Sequence, residues 1–462
     1  MNQRPAAEDE APPEIVDRAM DRATGSRPIP GNRVTLLYDG PQLYPAMLER
    51  IAAARRWVHF DNYIIRSDAT GSLFAEALIE RARAGVAVRV LTDWVGSVST
   101  RRSYWRRLRE GGVTVRIFNP PNFVRLRQNF TRDHRKLMVV DGITAVTGGH
   151  CIGNEWAGHT ERHRQPWRDT GMAVDGPAAA VMDQAFDVVW RLAGDGLDET
   201  EMLAEVPAQG DSSIRVVAGE PGGVRASRAT ELLLAGAAER IWLTDAYLVA
   251  PPGIYQSLLD AARAGVDVRL LVPGISDLSH VQNWTRMGYV DMLRSGIKIY
   301  EWRGPMLHAK TLVVDGRWVR VGSSNLNLSS LVANYELDIV AEDPNLALEM
   351  ESQFRRDTER SAEIRLRGPA FTGGRRRRNA IAPEPVLAST FHRPGLRERR
   401  GRAVVAMQQI LRGARRTVLV PYSIGLAILG VLFLLLPHAM AVVFAVLSLW
   451  LALAAWQDGR VS

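Results

Sequence analysis

Leu78-Ile-Glu-Arg-Ala-Arg-Ala-Gly-Val-Ala-Val-Arg-Val-Leu91 is matched later in the chain by Leu258-Leu-Asp-Ala-Ala-Arg-Ala-Gly-Val-Asp-Val-Arg-Leu-Leu271. Each stretch reads as the end of a helix, a stop near glycine (Gly85, Gly265) and a buried strand entered at once. Upstream, an apolar run carrying Asp61 and Tyr63 corresponds to one carrying Asp245 and Tyr247; downstream, a helix with its strand from Trp105 to Phe118 is echoed by Met287 to Tyr300. Helices alternating with short β-branched runs imply βαβ units and a largely parallel sheet covered on both faces. The sequence predicts an α/β fold made of two copies of one domain.

Each copy ends its series with one spacing, H-x-K-x-x-x-x-D: His134-Arg-Lys136-Leu-Met-Val-Val-Asp141 in the first and His308-Ala-Lys310-Thr-Leu-Val-Val-Asp315 in the second. A strand has period two, so His and Lys point to one face, while the apolar run behind them anchors the strand in the core. Asp141 and Asp315 fall on the opposite face and are expected to be structural partners rather than proton carriers. Seven residues after each Asp comes a small-residue turn, Gly148-Gly149-His150-Cys151 or Gly322-Ser323-Ser324-Asn325, through which backbone and short polar side chains can approach an anion. The chain holds 58 lysines and arginines, of which only Lys136, Lys298 and Lys310 are lysine. Lysine at both motif positions of so arginine-biased a chain points to a site that needs a compact charge with three donors rather than a planar fork.

These residues resemble the phospholipase D superfamily, whose signature is the doubled H-x-K-x-x-x-x-D followed by G-[SG]-x-N; the resemblance covers roughly residues 33 to 345. Gly31-Asn32-Arg33 with its strand and Asp39-Gly40, then Arg132-Asp133-His134-Arg135-Lys136, then Trp167-Arg168-Asp169-Thr170, look like the bacterial cardiolipin synthase branch. The resemblance implies two tandem phospholipase D-like α/β domains packed as a pseudo-twofold pair. It also implies a metal-free, two-step phosphodiester exchange without cofactor, with His134, Lys136, Asp141, His308, Lys310 and Asp315 as the candidate catalytic set. His134 would be the nucleophile, forming a phosphohistidine, and His308 the acid and then the base. Lys136 and Lys310 would neutralise nonbridging phosphate oxygens, Ser323 and Asn325 would add donors, and Asp169 and Glu336 would each bond the far nitrogen of a histidine. Cys151 stands where the family carries asparagine, which would pass phosphate contact in that half to Lys136, backbone N–H groups or His150.

Around this body the composition shifts. From Arg355 to Arg416 there are 17 arginines against 5 acids, so the preceding body is slightly acidic although the chain carries a net +8. A body of that sign argues against a surface tracking nucleic acid. Residues 1–32, rich in Pro and acids, are expected to be disordered and lack the apolar core of a secretory signal. Residues 33–205 and 206–366 are assigned to the first and second domains and 367–417 to a basic linker. Residues 418–456 read as a transmembrane helical hairpin of two uncharged runs around Pro437-His438, with a re-entrant hairpin and a buried core hairpin as the alternatives. Arg412, Arg415 and Arg416 just before it place the catalytic domains on the cytoplasmic side, with the arginine-rich arm against anionic lipid.

The expected partners are a phospholipid substrate and the membrane. The expected activity is transfer of a phosphatidyl group from phosphatidylglycerol to a second phosphatidylglycerol, with a phospholipid hydrolase and a nucleic-acid phosphodiesterase as alternatives. Trp94, Trp105, Phe123 and Phe130, ahead of the first motif, are candidates for an acyl-chain groove or for core. His59, His159, His163 and His280 show no ligand spacing, and the single cysteine excludes an internal disulfide.

Overall fold

Arg215 shows why order begins earlier than the composition suggests. In the computed structural model, which describes residues 13–121, 130–158, 164–203 and 205–366, this arginine is buried and pairs with Asp17 at 2.7 Å and with Asp21. Both acids lie on helix α1 (Pro13–Thr24), which also buries Met20 completely. The expected disorder of residues 1–32 is therefore corrected from residue 13 onward. Acids that read as solvating are counter-ions of a guanidinium that could not be buried without them.

The first repeat runs β1 (Ile29–Tyr38), α2 (Asp39–Ala53), β2 (Trp57–Asn62), α3 (Ala69–Arg83), β3 (Ala87–Asp93), α4 (Arg102–Glu110), β4 (Thr114–Phe118), β5 (Lys136–Val140), β6 (Thr144–Gly148), α5 (Asn154–Ala157), β7 (Thr170–Asp175) and α6 (Pro177–Leu192). The second runs β8 (Ser212–Gly219), α7 (Arg225–Gly236), β9 (Arg240–Thr244), α8 (Pro252–Arg263), β10 (Asp267–Pro273), α9 (Ser279–Met287), α10 (Tyr289–Arg294), β11 (Lys298–Trp302), β12 (Thr311–Val314), β13 (Trp318–Gly322), β14 (Glu336–Glu342), α11 (Pro344–Glu359) and β15 (Ser361–Ile364). The quoted repeats become α3 with β3 and α8 with β10, and the chain reverses at Gly85 and Gly265 with φ of 89° and 95°.

All fifteen strands form one sheet, ordered β15-β11-β10-β9-β12-β13-β14-β8-β1-β7-β6-β5-β2-β3-β4. Outward from the antiparallel β1·β8 seam, where Ile29 faces Ile214 and Asn32 faces Ser212, both halves show the same order. Parallel pairing is confined to β2-β3-β4 and β9-β10-β11. The expectation of a largely parallel sheet is thus corrected. The apolar runs after each motif do not cross over through helices but turn back at Asp141-Gly142 and Asp315-Gly316, with φ of 54° and 69°, and 53° and 63°. Two consecutive positive φ values twist the chain as a tight antiparallel hairpin requires.

Helices α2, α3 and α4 cover one face of the first half, and α7, α8 and α10 the matching face of the second. On the other face one core is common to both repeats: Phe186 and Trp190 of α6, Met350 of α11, Val174 of β7, Val216 of β8 and Val313 of β12 belong to it. The boundary at 205/206 separates repeats in sequence but does not separate cores. Among the described residues no helix is long and apolar enough to cross a membrane; the linker 367–417 and hairpin 418–456 lie outside the described residues.

Candidate active site

Each motif histidine stands where the chain enters its strand, and its backbone is tied to the other repeat. The His134 N–H donates to the Tyr335 carbonyl at 2.9 Å, and the Tyr335 N–H returns a bond to Arg132 at 2.8 Å. In the mirrored arrangement the His308 N–H donates to the Arg168 carbonyl at 2.7 Å, and the Arg168 N–H to Met306 at 2.9 Å. Residues 335 and 168 immediately precede the two acids, so the carboxylates arrive crossed. Glu336 holds Nδ1 of His134, with both oxygens at 3.0 Å, and Asp169 holds Nδ1 of His308 at 2.9 Å. Each acid follows the motif of its own repeat in sequence and serves the histidine of the other.

A carboxylate on Nδ1 fixes the tautomer with the proton there and leaves Nε2 as the reactive nitrogen. Both acids are fully buried, which opposes their charge. For Glu336 the charge and hydrogen bond of His134, helped by Lys136 and the Ser323 hydroxyl, outweigh burial and hold its pKa below the usual value. Asp169 is held far lower by His150, His308 and Lys310. The histidines shift down as well. Burial, followed by the Lys310 charge, depresses His308 to about 3 against the pull of Asp169, and burial lowers His134. Burial thus works against the cationic form of both rings, while the acid on each Nδ1 works for it.

The supporting groups differ between halves. Glu336 accepts bonds from Ser323 Oγ at 2.6 Å, Ser330 Oγ at 2.5 Å and Asn334 Nδ2 at 3.3 Å. Asp169 accepts from Trp156 Nε1 at 3.2 Å and the Thr170 N–H at 2.8 Å. Gly149, the counterpart of Ser323, has no room for a side chain, because a Cβ there would stand 2.1 Å from Asp169 Oδ1. The shorter acid occupies the space that a serine side chain occupies in the second half.

Several expected roles change place. Ser323 gives its hydroxyl to Glu336 rather than facing the open site. Lys136 and Lys310 are buried and donate to the carbonyls of His134 and His308. Lys310 Nζ also lies 3.0 Å from His308 Nδ1, and burial lowers its pKa to about 8. Asp141 and Asp315 each accept three backbone N–H bonds at 2.8–2.9 Å, from residues 55–57 and 238–240, fixing the starts of β2 and β9. His150 is buried, both ring nitrogens lack a protein partner, and burial pushes its pKa down to about 4. It does not line the main cavity. Cys151 does, with its thiol pKa raised by burial, and so does Asn325, whose Oδ1 has no protein partner.

The histidines open on a cavity of about 570 Å³, the size that encloses a drug-sized molecule. Tyr63 packs edge-on against His134 with centroids 4.8 Å apart and Tyr247 against His308 at 5.9 Å, while Trp156 and Trp167 flank His308. Arg66 and Arg132 line it from the first repeat; Asp277 and the apolar Leu278, Val281, Trp284 and Leu328 line it from the second. The aromatic residues proposed from sequence lie elsewhere: Trp105 is core, Phe130 is exposed, Trp94 is not in the lining and Phe123 is outside the described residues. Sequence reasoning overlooked Ser330, Asn334 and Trp156, and met Trp167 only as part of a motif, not as a neighbour of His308. Tyr63 and Tyr247 were visible as matched positions of the repeat.

The family described as "Cardiolipin synthase, PLD-like domain" matches residues 47–160 and 232–358, one match on each repeat. Cardiolipin synthase A of Pseudomonas aeruginosa is 34% identical over 351 residues, covering 75% of this chain and 71% of that protein. Cardiolipin synthase of Oceanobacillus iheyensis is 31% identical over 338 residues, 72% of this chain and 70% of that protein. Among solved structures, phosphatidylserine synthase of Haemophilus influenzae superposes with a TM-score of 0.57 at 14% identity, over 76% of this chain and 91% of that one. Polyphosphate kinase of Porphyromonas gingivalis gives 0.51, also at 14% identity, over 79% and 52%; these two likenesses concern the fold alone. With both repeats matched and relatives above 30% identity over most of their length, the chain belongs to the cardiolipin synthase branch of the phospholipase D superfamily.

Proposed function

We propose that this phosphatidyltransferase joins two phosphatidylglycerols into cardiolipin and releases glycerol. The observation that carries the reading is the crossed pair of histidines, each held by a buried acid at Nδ1 and opening together on one largely apolar cavity. In the first step Nε2 of His134 attacks the donor phosphorus. The bond from phosphorus to the glycerol oxygen breaks, and the leaving oxygen takes the Nε2 proton that His308 carries into this step as an imidazolium, leaving neutral His308 and a phosphohistidine. In the second step His308 removes the proton from a hydroxyl of the acceptor phosphatidylglycerol. That oxygen bonds to phosphorus, the P–N bond breaks and His134 returns to its starting state. Lys136 and Lys310 act from beneath the histidines as fixed positive charge, and Asn325 offers an amide to the phosphate. Asp141 and Asp315 hold the strands. By composition alone, the arginine-rich and apolar stretches of sequence after residue 366 favour holding the catalytic body at the cytoplasmic face of the membrane.

One observation favours an exchange of the two roles. A nucleophile must be neutral and an acid must carry a proton, and His308 is the ring pushed to about 3. Peptide mapping at neutral to alkaline pH, where the acid-labile P–N bond survives, after denaturing the chain in the presence of labelled substrate assigns the nucleophile to position 134 or 308.

The reading itself is tested by mass spectrometry of lipids after incubating the detergent-held full chain with phosphatidylglycerol and excess chelator. Cardiolipin and glycerol are expected from the wild type, and neither from His308→Ala. Phosphatidic acid as sole product would replace transfer by hydrolysis, and no lipid product would discard the phospholipid reading.

A further inference from the structure

The apolar wall of the cavity does not stop at its mouth. Leu278, Trp284 and Leu328 line the cavity and are also open to solvent, and Ile275 and Met287 continue their surface outside it. With Val98 these large side chains are 40–72% exposed. Val98 follows β3 and Ile275 and Leu278 follow β10, the equivalent strand of the second repeat; Trp284 and Met287 lie on α9, and Leu328 follows β13. The loop after β3 leaves the sheet with the Trp94 N–H on Phe118 O at 3.0 Å, and the loop after β10 with the Gly274 N–H on Trp302 O at 3.1 Å. Both loops reach the cavity rim: Ser99 bonds the cavity-lining Arg66, and the cavity-lining Asp277 accepts from the Tyr247 hydroxyl at 2.8 Å. Exposed Arg101 and Arg102 follow the first loop, and exposed Arg303 follows β11 at the same end of the sheet.

Leaving so many large apolar side chains in water is unfavourable, and a patch of this kind marks a contact surface. The size of the cavity says what the contact is. About 570 Å³ holds a headgroup and its nearest carbons, whereas two diacyl lipids meeting at one phosphorus exceed it several times over. Their acyl chains must remain in the leaflet from which they came, so the leaflet must reach the mouth. We propose that the collar formed by Val98, Ile275, Leu278, Trp284, Met287 and Leu328 inserts at the boundary between headgroups and acyl chains of an anionic bilayer, with Arg101, Arg102 and Arg303 in the headgroup layer. The collar lies within the catalytic body, so this contact is separate from any made by the chain after residue 366. It rests on the phospholipid reading of the cavity.

The test places an environment-sensitive fluorophore on Met287→Cys in the full chain, with the wild type, whose sole cysteine Cys151 is buried, labelled in parallel as the blank. Ile143→Cys, in the turn at the far end of β5, is the control. With vesicles of phosphatidylglycerol the emission at 287 is expected to shift to the blue and to be quenched by acyl-brominated phosphatidylglycerol, with neither effect at 143. A probe at 287 that brominated lipid fails to quench overturns the proposal, including the case in which the chain's own apolar tail covers the collar. A second measurement uses the double variant Ile275→Ser, Met287→Ser, whose positions lie outside the cavity lining. Cardiolipin formation from vesicles is expected to fall about tenfold, while turnover of short-chain phosphatidylglycerol dispersed as monomers stays unchanged. Equal loss on both substrates, or none on vesicles, overturns the collar. Absence of cardiolipin from both substrates in the wild type removes the lipid reading, whatever the fluorophore reports.

Discussion

Replacing Asp169 by asparagine keeps the side chain's size and its place beside His308 but removes the charge that holds the proton on Nδ1. With an amide there, either tautomer can be held, and an imidazolium formed during turnover loses its counter-ion. Asp169→Asn is expected to lower kcat on the order of 10²–10⁴-fold with little change in KM, as measured by steady-state cardiolipin formation. Retention of kcat would make the acid purely structural. At this scale much was legible. The two scarce lysines and the doubled spacing mark the four motif residues because the chemistry constrains residue type directly. The crossing of the acids was not legible. It depends on backbone bonds between Tyr335 and residues 132 and 134, far apart in sequence, and no local spacing reports them. Gly149 reads as a generic small residue until Asp169 is seen to take its side-chain space.

Strand β2 and helix α6 meet through His59, which takes no part in the cavity. His59 is buried between Asp183, 2.6 Å from Nδ1, and Glu201, 3.1 Å from Nε2, while Trp57 Nε1 also donates to Asp183 at 3.0 Å. Burial opposes a charged ring, yet the two carboxylates hold the His59 pKa above its ordinary value. Glu201 is buried too, but Arg89 and His59 bring it down to about 2. The raised histidine contributes stability that is complete below its unfolded pKa of about 6.5 and disappears as pH rises through the folded value. The lowered glutamate contributes above its unfolded pKa of about 4.3, and that part is lost as pH falls toward 2. The lock is therefore fullest between those unfolded values. His59→Gln is expected to lower Tm most near pH 5.5 and progressively less as the pH is raised into the alkaline range; a deficit independent of pH would show that only packing was lost. Elements themselves were largely readable, since helix stops at Gly85 and Gly265 follow from local sequence. The sheet's polarity was misread because Asp-Gly turns decide it, and an apolar run bounded by a turn looks the same whether it crosses over or folds back.

Across the whole molecule the two repeats share the core of α6 and α11, with Phe186 fully buried in it. Phe186→Ala is expected to cost about 3–5 kcal/mol. Because strands of both halves pack on that layer, the loss should appear as one cooperative unfolding transition displaced to lower denaturant, followed in parallel by tryptophan fluorescence and far-UV dichroism. Two separated transitions would mean that the halves unfold independently. Duplication was visible in the sequence; fusion of the copies into one folding unit was not, since the seam residues of β1 and β8 carry no special pattern and pair only once both halves of the sheet exist.

The crossed acids also bear on ancestry. A polypeptide with a single repeat would have its histidine and its acid pointing to different partners, and could act only by meeting a second molecule of itself. Joining the copies in one reading frame made that partnership permanent and released each half from having to complement itself. Aspartate could then stand against glutamate, glycine against serine, and cysteine against asparagine, each half drifting toward its own part of one task.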